Sequence, residues 1–126
     1  MGKGYLIDSN AIIDFFKETL PESGIKFLSN IDPIISIITF IEIFSNVKAD
    51  EKEIEELQNF CNIATIYNLN NEIAALTIEL RKNYKIKLPD ALIAATALHY
   101  NLILITRNTA DFVKIERLEI KNPHLI

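Results

Sequence analysis

Four short apolar runs of strand length alternate along the chain with segments whose apolar residues recur at a helical period, and this alternation limits the fold more than any other feature. The runs are Tyr5-Leu6-Ile7, Ile34 to Ile38, Ala64 to Tyr67 and Leu102 to Ile105. After the first, Ala11 to Lys17 keeps Ile12, Ile13, Phe15 and Phe16 for a mostly buried helix, and Pro21 to Leu28 predicts a short second one. The β-branched run from Ile34 to Ile38, interrupted only by Ser36, reads as a central strand. From Thr39, the residues Phe40, Ile41, Ile43, Phe44 and Val47 follow a helical period with Glu42 among them. Asp50 to Phe60 predicts a helix with Ile54, Leu57 and Phe60 inward, and Asn70 to Asn83 another built on Ile73, Ala74, Leu76, Thr77 and Leu80. Pro89-Asp90-Ala91 opens an alanine-rich helix able to pack closely on a sheet, ending near Tyr100-Asn101. Thr106 to Thr109 then closes the last run before a short segment, Ala110 to Lys114. Strands alternating with helices imply right-handed crossovers, so the expected fold is α/β, a three-layer α/β/α sandwich with a mainly parallel central sheet. A split of 126 residues would leave halves too small for good cores, so one domain over 1–126 is expected.

The apolar runs are far too short to span a bilayer of roughly 30 Å, and the start of the chain lacks the apolar core of a signal peptide, so no membrane association is expected. The single Cys61 has no internal partner, which points to a reducing, cytoplasmic setting. Its apolar neighbours predict a packed, inert thiol. A net charge of −4 argues at first against nucleic acid, whose phosphates are met by lysine and arginine. Distribution changes that reading. Asp50 to Glu56 alone carries five carboxylates and one lysine, a net −4, so the remainder balances to zero. Arg81, Lys82, Lys85 and Lys87 crowd the segment before Asp90, where they suit either a solvated helix end or phosphate binding.

In parallel sheets of this kind ligands bind beyond the carboxyl ends of the strands. Asp8 directly follows the first run, Glu42 lies four residues after the second, Asp90 begins the helix feeding the last, and Asp111 lies just past it. Taken singly, Asp8, Asp90 and Asp111 suit helix caps or first turns. Capping does not account for Glu42 within an apolar helix, nor for the common sheet edge. An aspartate as apolar in its surroundings as Asp90 also needs a partner, because an unpaired buried carboxylate is costly. Carboxylates held together are stable mainly around a divalent cation, and oxygen ligands alone favour Mg2+ or Mn2+. That chemistry suits phosphodiester hydrolysis, with Thr39 and Thr106 as further hydrogen-bonding groups.

Leu6-Ile7-Asp8-Ser9-Asn10, Ile38-Thr39-Phe40-Ile41-Glu42, Leu88-Pro89-Asp90-Ala91-Leu92-Ile93-Ala94-Ala95 and Thr106-Arg107-Asn108-Thr109-Ala110-Asp111-Phe112 resemble the successive motifs of PIN-domain proteins, most closely the VapC-like toxin group. The resemblance extends to Ile120-Lys121-Asn122-Pro123. It implies an endoribonuclease using Mg2+ or Mn2+, with metal bound chiefly by Asp8 and Asp90 and the acidic site completed by Glu42 and Asp111. It also implies Asn10 and Asn108 as supporting polar groups and Thr106 near the scissile phosphate. The partners so implied are RNA as substrate, a small antitoxin protein and further copies of the chain in homodimers or larger assemblies. Ser9 stands where many relatives carry threonine, which keeps the hydroxyl. Two other functions compete: a catalytically silent PIN-like module binding RNA or protein, and a phosphatase with Asp8 as nucleophile. The second normally needs an aspartate two residues on, where this chain has Asn10.

Overall fold

The computed structural model describes residues 2–46 and 48–126, so Val47, assigned above to a helical stripe, lies outside the described residues. Five strands form one sheet: β1 (Tyr5–Ile7), β2 (Ile34–Ser36), β3 (Thr65–Tyr67), β4 (Ile103–Ile105) and β5 (Ile120–Lys121). Their order is β3-β2-β1-β4-β5 and every pairing is parallel, with Leu6 of β1 beside Ile34 on one flank and Leu104 on the other. Parallel neighbours cannot be joined by hairpins, which is why the helices predicted between the apolar runs are needed as crossovers.

Because successive strand residues point to opposite faces, the three-residue strands feed two cores. Leu6 and Leu104 join Ile73, Leu80 and Ile93 on one side. Ile7, Ile35 and Ile105 join Ala11, Ile12, Ile43 and Leu57 on the other. The first side is covered by α5 (Asn71–Asn83) packed along α6 (Leu88–His99). In α6 the residues Ala91, Ala94, Ala95 and Ala97 have no exposed surface, so the small side chains do bring this helix close to its neighbours. The second side is covered by α1 (Ser9–Phe16), α2 (Glu22–Ser29), α3 (Ile37–Phe44) and α4 (Glu51–Ile63). A single turn of helix, α7 (Thr109–Phe112), follows β4 and is pinned by the fully buried Phe112. Cys61 is half-buried in the second core, and burial raises its thiol pKa, as expected for an inert packed cysteine.

Three expectations are corrected. The second strand stops at Ser36 and not at Ile38, because the Ser36 hydroxyl accepts a hydrogen bond from the Thr39 amide at 3.1 Å and caps α3, turning Ile37 and Ile38 into its first residues. Ile54 is 37% exposed while Leu57 of the same helix is buried, so Ile54 lies at the edge of the inner stripe of α4 and not within it. A fifth strand, Ile120–Lys121, extends the sheet beyond β4; two residues are too few to show a period.

The chain's last residues fold back onto α2. A β-carbon added to Gly24 would collide with the Pro123 carbonyl, so glycine is what lets this helix lie directly on the tail. Among the described residues no helix is long and apolar enough to cross a membrane.

Candidate active site

From β1 the chain crosses to one flank, through β2 and β3, before it returns at β4 on the other. The carboxyl ends of β1 and β4 therefore border the point where the winding reverses, the place in such sheets where loops part and leave a crevice. Asp8 and Thr106 are the residues that leave these two strands. The Asp8 carboxylate is buried, 4% exposed, and nearly all of its surroundings are fixed. One oxygen, Oδ1, accepts from the Ser9 amide at 2.8 Å, so Asp8 does cap α1. The other, Oδ2, accepts from the Thr106 hydroxyl at 2.9 Å and from the Asn10 side-chain amide at 3.1 Å.

Thr106 has no exposed surface, and its hydroxyl is fully used. Its only hydrogen goes to Asp8, and it accepts from Asn10 Nδ2 at 3.2 Å and from the Asn108 amide at 3.1 Å. Asn10 also accepts from the Arg107 amide at 2.8 Å, so a single side chain spans the ends of β1 and β4. Thr39, by contrast, is fully buried beside Ser36 and its hydroxyl faces that cap.

The other three acids stand around Asp8 with fewer constraints. Glu42 lies on the exposed rim of α3 and accepts from the Ser9 hydroxyl at 3.3 Å. Asp90 is half-buried in the first turn of α6, and Asp111 is exposed in α7. None of the four acids is in an ion pair among the described residues. Burial raises the pKa of Asp8 against the lowering effect of its hydrogen bonds. Burial also raises Glu42, followed by the charge of Asp8 and, more weakly, Asp90. Asp90 is raised by burial and then by the charges of Asp111 and Asp8, while Lys87 and Lys114 oppose this. The four acids thus share one electrostatic neighbourhood.

No three His, Cys, Asp or Glu side chains among the described residues are gathered into a ready-made metal cage. Unpaired carboxylates repel, so a loose ring is what such a set adopts by itself. Its chemistry nevertheless fits a hard divalent cation: the donors are carboxylate oxygens only, none is in an ion pair among the described residues, and the proton affinities of Asp8, Glu42 and Asp90 are raised.

A stability effect follows with a definite sign. For acids whose folded pKa is raised, the stabilising contribution is complete below the unfolded values of about 4 and is lost as pH rises through the folded values. At neutral pH the ionised cluster therefore costs stability. Glu42→Gln keeps an acceptor for Ser9 and removes one charge, so its metal-free melting temperature at pH 7 should exceed that of the wild type by a few degrees, corresponding to less than about 1 kcal/mol for this exposed group. The gain should vanish near pH 4. Equal melting temperatures at pH 7 would show that the acids do not strain the fold.

One buried acid escaped the sequence reading. Asp14, on α1, is bound by Arg107 Nη1 at 2.9 and 3.0 Å through its two oxygens and by His124 Nε2 at 2.8 Å. It ties α1 to the loop after β4 and to the tail that Gly24 admits. Its setting, Ile12-Ile13-Asp14-Phe15-Phe16, carries the same signal of an acid in apolar surroundings that singled out Asp90.

The comparisons with known proteins agree with this fold. The family model described as PIN domain matches residues 5–118. No curated protein matches the chain. Among solved structures, a toxin-antitoxin complex from Klebsiella pneumoniae contains a chain 32% identical, with 95% of this chain and 98% of that chain covered and a TM-score of 0.73. VapBC2 from Rickettsia felis, bound to a DNA fragment from its promoter, gives 25% identity over 94% and 97% of the two chains with a TM-score of 0.79. VapBC-1 from nontypeable Haemophilus influenzae gives 24% identity over 94% and 97% with a TM-score of 0.80, a likeness of fold. With its five-stranded parallel sheet and a family match spanning nearly its whole length, the chain belongs to the PIN domain family and is similar to VapC-like toxins.

Proposed function

We propose that the chain is an endoribonuclease that hydrolyses RNA phosphodiester bonds with Mg2+ or Mn2+, acting as the toxin of a toxin-antitoxin pair. The observation that carries the proposal is the set of four acids, Asp8, Glu42, Asp90 and Asp111, in no ion pair among the described residues, with the pKa of Asp8 raised by burial and those of Glu42 and Asp90 raised by burial and by the charges of neighbouring acids. These four would hold the cation. When bound, it would acidify a water and offset charge on the phosphate and the leaving oxygen.

The chain's own residues divide the remaining work. Asp8 supplies a carboxylate whose orientation is fixed before substrate arrives, since Ser9, Asn10 and Thr106 leave it little freedom. Glu42, exposed on its helix and held among the described residues only by the Ser9 hydroxyl, suits taking a proton from the attacking water. Thr106 acts through Asp8: a hydroxyl whose only hydrogen is committed to the carboxylate has none to give a phosphate. Thr106→Val should therefore lower RNA cleavage by about 10–100-fold, the usual cost of losing a group that orients a metal ligand, whereas Thr106→Ser should retain most activity. Initial rates on one defined RNA, with folding checked by circular dichroism, decide this. Equal rates for Thr106→Val and wild type would remove Thr106 from the mechanism.

The likeness to toxin-antitoxin complexes supports an antitoxin partner; assembly of copies of the chain with one another is proposed from the resemblance of its sequence motifs alone. Such an antitoxin would place a basic side chain, best an arginine able to bond carboxylates bidentately, among the acids. The metal requirement has a direct test: a chelator should stop cleavage of RNA and added Mn2+ or Mg2+ should restore it. Undiminished cutting in excess chelator would rule out the proposed role of the acids.

A further inference from the structure

Beside the acids lies a cavity of about 370 Å³ lined by Arg81, Lys85, Lys87 and Lys114 together with Asp90 and Asp111. The four cations arrive from separate places: the last turn of α5, the loop after it, the residue capping α6, and the segment after α7. The Lys114 ammonium donates to the Lys85 carbonyl and so ties the last of these segments to the loop. None of the four is in an ion pair among the described residues, in a chain whose net charge is −4. Helix energetics explain only one of them. Arg81 suits the negative end of α5, but Lys87 sits at the N-cap of α6, where the helix dipole disfavours a cation. The charges of Lys87 and Lys114 also reach Asp90, so the cationic wall and the acidic site form one surface.

We propose that this cavity is a phosphate subsite that holds the backbone of single-stranded RNA on one side of the bond to be cut, fixing the strand's path across the acids. This rests on the nuclease reading above. Backbone phosphates fit the alternation of charge better than an acidic peptide does. A polynucleotide presents one phosphate to the acids, where a divalent cation offsets the repulsion, and its neighbours to the lysines. An acidic peptide would bring carboxylates up to Asp90 and Asp111 on the same wall. The size also suits a nucleotide or two and not a helix. Lys82, grouped with these cations by sequence, does not line the cavity, and Lys114, distant in sequence, does.

The test uses the full chain in an Asp8→Asn background, so that affinity is read without cleavage. Binding of a fluorescent single-stranded RNA is measured against salt for this protein, for a version with Arg81→Gln, Lys85→Gln and Lys114→Gln, and for a control with Lys17→Gln, Lys26→Gln and Lys52→Gln, which changes net charge equally elsewhere. The cavity variant should bind about 10–100-fold more weakly. Its slope of log affinity against log salt should be shallower by about 2, because each single-strand phosphate contact contributes about 0.7. The control should lose much less, and Arg81→Lys, Lys85→Arg and Lys114→Arg together should restore binding. Equal affinity and slope for the cavity variant and its parent would overturn the subsite while leaving the nuclease intact, if the wild type still cuts RNA. Loss of binding by the cavity variant, from a wild type that cuts nothing, would support the subsite and sink the nuclease. Poly-glutamate displacing RNA at equal charge concentration, with the same dependence on the three cations, would reassign the cavity to an acidic protein partner and overturn the proposal.

Discussion

Asp8→Asn should reduce the rate of RNA cleavage by at least about 10²–10³-fold, the scale on which removal of one preorganised electrostatic group acts, while the protein remains folded. The asparagine is nearly the same size, and its carbonyl oxygen can still accept from the Ser9 amide, which preserves the start of α1. What it loses is charge and one acceptor. The remaining side-chain position becomes a donor pointing at groups that donate to Asp8 in the wild type, Thr106 and the Asn10 amide. Thr106 can answer by turning its hydrogen away, so the disturbance stays local. The sign of the stability change is set by competing effects: a desolvated charge is relieved, two charge-assisted hydrogen bonds are lost and a third, from the Ser9 amide, is weakened. Single-turnover rates at saturating Mn2+, with a melting curve for each protein, separate a catalytic loss from an unfolded sample. A variant that melts like the wild type and cuts at an undiminished rate would remove Asp8 from the site.

The second large effect concerns stability. Asp14→Ala should cost about 2–3 kcal/mol and lower the melting temperature by roughly 10 °C. Asp14 is buried and holds two partners, Arg107 from the loop after β4 and His124 from the tail. The estimate stays below the cost of breaking a fully buried pair, because about half of the Arg107 side chain is already exposed and can turn to water. The loss should spread to function. Arg107 gives its amide to Asn10, and Asn10 in turn holds Asp8, so loosening the loop after β4 loosens the carboxylate. Thermal unfolding with the cleavage rate read well below the transition tests both parts. An unchanged melting temperature would show that the pairing contributes nothing net.

How much of this was legible beforehand depends on the range of the interactions. β1 falls on the three residues read from the sequence, and α5 and α6 lie within a residue or two of their expected bounds, because each is encoded by local periodicity and a local cap such as Asn70. Ser36 was visible as a polar break in a strand, but its effect as a cap depends on its backbone at that point, so the strand was drawn two residues too long. The short β5 makes sense only as a partner of β4, which pattern along the chain does not reveal. The same holds for the site. The α/β rule places Asp8, Glu42, Asp90 and Asp111 at one edge of the sheet, and the structure does put them within reach of one another's charges. The partners of Asp14 lie 93 and 110 residues away, beyond any local signal. Lys114 joined the other cations through the turn after α7, for the same reason.

The central claim is that the four acids make this chain a metal-dependent ribonuclease, and fragment-end mapping of total cellular RNA tests it most directly. Purified protein freed of any partner, wild type and Asp8→Asn, is incubated with the RNA in Mn2+, in Mg2+ and in chelator. The predicted result is a small set of discrete cuts made only by the wild type and only with metal. If folded wild type makes no cuts with either ion, or if Asp8→Asn makes the same cuts, the account is contradicted. The former result would favour a catalytically silent PIN module whose acids serve binding or structure.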